Sequence, residues 1–229
     1  MTILLLIRHG ENDVMLRRLT GRMPGVSLNE KGRSQAKELA NALVHAPLKA
    51  VYSSPLERAV ETAEPLATSH GLSVQVRPAL IEVHYGDWQG STYKQLNRLK
   101  KWQQLLKKPS RIRFPGGETM GEVQQRVVAD LETLAAEWQP QQESEEKTDP
   151  IIAIVAHADV IRLALAHYLN MALDDFMRLY INPASVSILM HRGSERHRVI
   201  SINQLAFFSW PEPSAIVPPE KRKSQRESI

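Results

Sequence analysis

Three places in the chain put reactive side chains where a strand-like run stops. The apolar run LLLI at residues 4–7 ends in Arg8, His9 and Gly10. A shorter run over residues 49–53 leads through Ser53 and Ser54 to Arg58. A third, IIAIVA at 151–156, ends in His157. Two guanidinium groups, two imidazoles and a helix start, if brought to one point, make a site for a phosphoryl group. Arginine forks match phosphate oxygens two at a time. A helix N-terminus adds unpaired N–H donors and a favourable dipole, and glycine permits close approach of the backbone. Taken singly, each signal has an ordinary reading: a loop tripeptide, a solvated helix arginine, a hydrogen-bonded structural histidine. Their common position at strand ends is what joins them.

The elements that must position these groups are legible as periods. Residues 2–8 and 151–156 read as strands, apolar without interruption over 3–7 and 151–156, as strands buried on both faces are. Residues 49–53 and 74–77 read as shorter strands. Residues 29–45 carry Ala36, Leu39, Ala40 and Leu43 on one helical face. The run Ser54-Pro55-Leu56-Glu57 predicts a helix start, with Ser54 as N-cap, Pro55 as first residue and Glu57 reaching back. Residues 92–106 are helical in composition. Thr119 and Glu122 make a second capping box, opening a helix whose inner stripe is Val123, Val127, Leu131, Leu134 and Trp138. Residues 159–170 read as a helix. Residues 185–191 and 198–203 read as two late strands, a hairpin around Arg192-Gly193-Ser194. Strands alternating with helices predict an α/β layer fold with a largely parallel sheet, in which ligands sit beyond the carboxyl ends of the strands.

Composition narrows the class. The chain has 229 residues, 42% of them hydrophobic, enough for a substantial core. No apolar run is long enough to cross a bilayer. Residues 1–8 read as strand without a basic leader, so the expectation is a cytoplasmic protein that does not enter the membrane. The absence of cysteine removes disulfides, thiolate nucleophiles and cysteine metal sites. A formal charge of +4 is mild. The densest basic group, Lys100, Lys101, Lys107, Lys108, Arg111 and Arg113, reads as a rim near an anionic small substrate, with no nucleic-acid partner expected. His45, His70, His84, His167, His191 and His197 show no metal-ligand spacing of the H-E-x-x-H kind; they read as surface or core residues, with His84 a candidate for the pocket wall. Residues 139–149 read as an exposed loop, and residues 211–229, rich in proline and charge, as a disordered tail.

The ordered set of motifs is similar to the histidine phosphatase superfamily, which includes the cofactor-dependent phosphoglycerate mutases. The matching stretches are IRHGE (7–11), LNEKG (28–32), SSPLERA (53–59), EVHYGDWQG (82–90), PGGE (115–118) and VAH through Arg162 (155–162). The resemblance implies one phosphoglycerate mutase-like domain over residues 1–210, a three-layer α/β/α fold with a central mostly parallel sheet. Segments of about 12–27 and 83–118 would form its cap. It also implies roles. His9 would be the nucleophile that becomes phosphorylated, through a neutral ring with one nitrogen free. Arg8, Arg58 and His157 would hold the phosphoryl oxygens. Glu82 would protonate the leaving alcohol and then take a proton from water. Thr20 and Gly21 resemble positions that line the substrate mouth. No metal and no cofactor are required, because the arginines supply the positive charge.

Two positions depart from the family. An asparagine usually stands six residues after the nucleophile; here Met15 does, with Asn12 as a substitute. The residue after the second histidine is commonly glycine; here it is Ala158, whose backbone donor survives the change. The mutase signature that follows the acid is replaced by Gly90-Ser91-Thr92-Tyr93. The resemblance therefore favours a phosphatase acting on a small phosphate monoester over a mutase. A catalytically silent binding member is the reading from another class, and the presence of Arg8, His9, Arg58, Glu82 and His157 together weighs against it. The oligomeric state is left open, a homodimer included.

Overall fold

The computed structural model describes residues 1–139, 149–193 and 197–205. The segment 140–148 and the tail 211–229, read above as a loop and a disordered tail, lie outside the described residues. Six strands form one sheet: β1 (Thr2–Arg8), β2 (Leu48–Ser53), β3 (Val74–Val76), β4 (Ile151–Ala156), β5 (Val186–His191) and β6 (His197–Gln204). Their order is β3-β2-β4-β1-β5-β6. The first four in that order run parallel, and β5 and β6 add an antiparallel edge. The late strands pair antiparallel as expected, while Ser194 of the expected turn lies outside the described residues.

The described residues form six α-helices: α1 (Glu30–Leu43), α2 (Glu57–Ser69), α3 (Tyr93–Leu96), α4 (Lys100–Lys107), α5 (Met120–Glu137) and α6 (Ala158–Tyr168). The strands divide their side chains by parity. Ile3, Leu5 and Ile7 of β1 and Ala153 and Val155 of β4 pack with Leu39 and Leu43 of α1 and Ala63 and Leu66 of α2. Leu4, Leu6, Ile152 and Ile154 face the other way, onto Val127 and Leu131 of α5 and Val160 and Leu163 of α6. The middle of β1 (residues 3–7) and all of β4 are apolar because both faces of each are covered. The result is a three-layer α/β/α arrangement around a mixed six-stranded sheet. Among the described residues no helix is long and apolar enough to cross a membrane.

The capping box of α5 forms as its spacing predicts: Thr119 accepts from the Glu122 N–H, and Glu122 accepts from the Thr119 N–H. Two local expectations do not hold. The α2 helix begins at Glu57, with Leu56 at the cap and no side-chain cap bond. Ser54 instead engages a histidine 103 residues away, and the Glu57 carboxylate accepts from the Gly25 N–H at 2.9 Å. Residues 92–106 divide into α3 and α4. The Asn97 carboxamide oxygen accepts from Trp102 Nε1 at 3.1 Å and its carbonyl from Gln103 Nε2 at 3.1 Å. The second bond satisfies the carbonyl that a continuous helix would have used.

Candidate active site

The strands β2, β4 and β1 are neighbours, so their carboxyl ends meet. Arg8 pairs in register with Ala156, and Ser53 with Val155. Backbone bonds carry the alignment past the strands: the His9 N–H donates to Ala156 O at 3.0 Å, and the Ser54 N–H to Val155 O at 2.9 Å. Gly10 is needed here for closeness. A Cβ on it would stand 2.7 Å from the Gly32 carbonyl oxygen, and one on Gly32 would stand 2.1 Å from Glu11 O. The glycines let the loop after β1 lie on the first turn of α1, which closes one side of the site.

His9 is buried, at 4% exposure. Its Nδ1 lies 2.7 Å from Gly10 O. A carbonyl can only accept, so Nδ1 carries the proton and Nε2 keeps its lone pair. Arg58 Nε donates to that Nε2 at 3.3 Å. Burial and the charges of Arg58 and Arg8 hold the His9 pKa well below its usual value. That shift favours the neutral ring a nucleophile must have.

Arg58 is the hub. Its Nη2 donates to Gly21 O at 2.8 Å and lies 3.3 Å from His157 Nδ1. The other nitrogen of His157, Nε2, is 2.7 Å from Ser54 Oγ. His157 is wholly buried and does not line the cavity. Burial and Arg58 keep it neutral. Besides Arg58 it meets His9, with ring centroids 5.2 Å apart, and Glu82.

A cavity of about 580 Å³ opens over this cluster. Arg8, His9, Asn12, Thr20, Gly21, Arg58, Glu82 and Ala158 all line it. Asn12 spends its oxygen on the N–H groups of Val14 and Met15, at 3.1 and 3.0 Å. Its Nδ2, together with Arg8 Nε and Arg58 Nη1, is a buried donor without a protein partner among the described residues. Such donors are costly to bury unless something accepts from them. Three of them around one cavity suit an oxyanion. Ala158 is the first residue of α6, so the helix dipole favours negative charge at the same spot.

Glu82 sits in a loop after β3, 8% exposed. Its Oε1 accepts from the Val83 N–H at 2.9 Å, and its Oε2 stands 4.0 Å from His157 Nδ1. Burial, then the charge of Asp159, raises its pKa to about 7. A carboxyl at that value can both give and take a proton near neutrality. Asp159 itself is bonded by Tyr85 Oη at 2.7 Å and Arg162 Nη1 at 3.0 Å.

Several residues here escaped the sequence reading. Tyr85, Asp159 and Arg162 lie inside recognised motifs but carried no assigned role. Tyr93, Trp102, Met177 and Tyr180 line the outer cavity without any motif signal. His84, a candidate for the wall, does not line it; its backbone pairs with Glu118. The basic residues between 100 and 113 do not line it either. The helix α4 turns Trp102 and Leu106 toward the cavity, while Lys108 pairs with Asp174 and Arg113 with Glu122.

The model of the histidine phosphatase superfamily (branch 1) matches residues 4–204. The chain belongs to that superfamily. Phosphoserine phosphatase 1 of Hydrogenobacter thermophilus is 28% identical over 89% of this chain and 92% of its own length. A 2,3-bisphosphoglycerate-dependent phosphoglycerate mutase of Thermoplasma acidophilum is 29% identical over 82% of this chain and 87% of its own. The native structure of a mycobacterial glucosyl-3-phosphoglycerate phosphatase superposes with a TM-score of 0.79 at 29% identity, covering 89% of this chain and 99% of that one. The histidine phosphatase members with phosphatase names are phosphoric monoester hydrolases. Their fold, with its mixed sheet between helical layers, is the one described above.

Proposed function

We propose that the protein hydrolyses a small phosphate monoester in two steps through a phosphohistidine on His9. The observation that carries this reading is the unprotonated Nε2 of cavity-lining His9, met by Arg58 Nε, with three unpartnered donors on the residues around it. In the first step Nε2 bonds to phosphorus, the ester P–O bond breaks, and Glu82 gives its proton to the leaving alkoxide. In the second, Glu82 takes a proton from water, the hydroxide bonds to phosphorus, and the P–N bond breaks to release phosphate. Arg8, Arg58 and Asn12 hold the oxygens and offset the charge that builds on them. His157 acts as a positioning residue, keeping Arg58 in place, with Ser54 fixing its ring. Thr20, Gly21 and Ala158 shape the mouth. The chemistry draws its positive charge from guanidinium groups and asks for no metal at this site.

The relatives' names support a small phosphorylated substrate. Phosphoryl transfer to an alcohol in place of water is the second reading, favoured by the similarity to the Thermoplasma mutase. His9→Ala abolishes turnover of an aryl phosphate while the circular dichroism spectrum stays native. Full activity in that variant ends the assignment. A panel of phosphorylated metabolites, assayed for both phosphate release and transfer, separates hydrolysis from mutase chemistry.

A further inference from the structure

Far from the cavity, two histidines and a glutamate meet. His191 ends β5 and His197 begins β6, and the two are a registered cross-strand pair. Their rings therefore stand side by side, with centroids 4.7 Å apart. Glu132 of α5 offers one oxygen to each: Oε2 is 2.6 Å from His191 Nε2, and Oε1 is 4.0 Å from His197 Nε2. One donor atom from each of the three residues lies within 4.8 Å of the others. Tyr168 of α6 donates its hydroxyl to Glu132 Oε1 at 2.9 Å.

We infer that Glu132, His191 and His197 form a binding site for a divalent transition-metal ion, zinc being the best fit. Two imidazoles and a carboxylate are a zinc ligand set, with water completing a tetrahedron. Magnesium and calcium prefer oxygen alone. Tetrahedral zinc with bonds of about 2.0–2.2 Å puts its ligand atoms about 3.4 Å apart. One donor atom from each residue already lies within 4.8 Å of the others, so reaching that value takes relative shifts of at most about 1.4 Å. Tyr168 supplies the outer contact that orients the carboxylate. The site lies at the amino-terminal pole of the parallel strands, since His191 pairs with Thr2 at the start of β1. It is about 20 Å from Arg8 along that strand, so the ion clamps the β5–β6 edge to α5 and takes no part in the chemistry at His9.

The test uses untagged, full-length protein stripped with chelator. Zinc is titrated by calorimetry, and cobalt by its visible absorption. The expected result is one saturable ion per chain, a cobalt spectrum of tetrahedral intensity, a higher melting temperature, and unchanged aryl phosphatase turnover. Glu132→Gln and His197→Gln each weaken zinc binding more than tenfold, and Tyr168→Phe weakens it about tenfold. Both ligand positions are partly exposed, and retained turnover reports that the variants are folded. Wild-type protein that shows no saturable binding at micromolar zinc overturns the proposal. So does binding that the two ligand substitutions leave unchanged, which places the ion elsewhere.

Discussion

Glu82→Gln tests the reading of the acid–base group through stability as well as rate. Glu82 is buried and its carboxyl is held at about 7, against an ordinary value of 4.5. Between those values the unfolded chain has lost the proton and the folded protein still binds it. Stability therefore falls as pH rises through that window. At about 1.4 kcal/mol per pH unit, ionising Glu82 costs the folded state about 3 kcal/mol once the pH is above 7. Glutamine has nearly the shape of the protonated acid and can still accept from the Val83 N–H. At pH 8 the variant should be more stable than the parent by about 2–3 kcal/mol, a margin that disappears near pH 4. Urea unfolding at both values measures this. The same variant should lose about 10²–10⁴-fold in rate on an alkyl phosphate, and far less on an aryl phosphate whose alcohol leaves without help. A variant less stable than the parent at pH 8, or an equal loss of rate on both esters, refutes the reasoning.

Asp159→Asn removes the second-largest cause of the raised Glu82 pKa. The alkaline limb of kcat/KM for a poor leaving group should then move to lower pH; a limb that stays in place disconnects Asp159 from the acid. Ser54→Ala leaves the buried Nε2 of His157 without its 2.7 Å partner. The expected cost is about 1–3 kcal/mol in urea unfolding, with kcat falling more than KM rises, as for a residue that positions Arg58. Gly32→Ala places a methyl carbon 2.1 Å from Glu11 O. Its helix-propensity gain of about 1 kcal/mol is outweighed by displacement of the loop that carries His9, and both the melting temperature and turnover drop.

Much of the fold is legible along the chain because its causes are local or periodic. The strand β4, and β1 between its end residues, are apolar at every position because helices cover both faces. The helix α5 begins where Thr119 and Glu122, three residues apart, satisfy each other's orphan N–H groups. The motif residues of the site are legible too: Arg8, His9 and His157 stand at strand ends, while Arg58 and Glu82 are found through the motifs around them. Reading failed where a side chain's partner lies far off in sequence. Ser54-Pro55-Leu56-Glu57 has the spacing of a helix cap, but Ser54 is taken by His157 and Glu57 by Gly25. The break between α3 and α4 follows from the bonds of Asn97, which composition does not announce. The cluster of Glu132, His191 and His197 has no motif spacing, because three separate elements bring it together.

By itself, then, the sequence determined which elements form and which chemical groups stand at their ends, since patterns of two and 3.6 residues and short-range caps are properties of neighbours in the chain. Only the tertiary structure decided which nitrogen of His9 is free, why Glu82 holds its proton to neutrality, and that His157 lies behind Arg58. Those properties come from burial and from charges brought near by the packing of β1, β2, β4 and α6. An electrostatic environment is a sum over groups close in space, and spatial closeness is what folding adds.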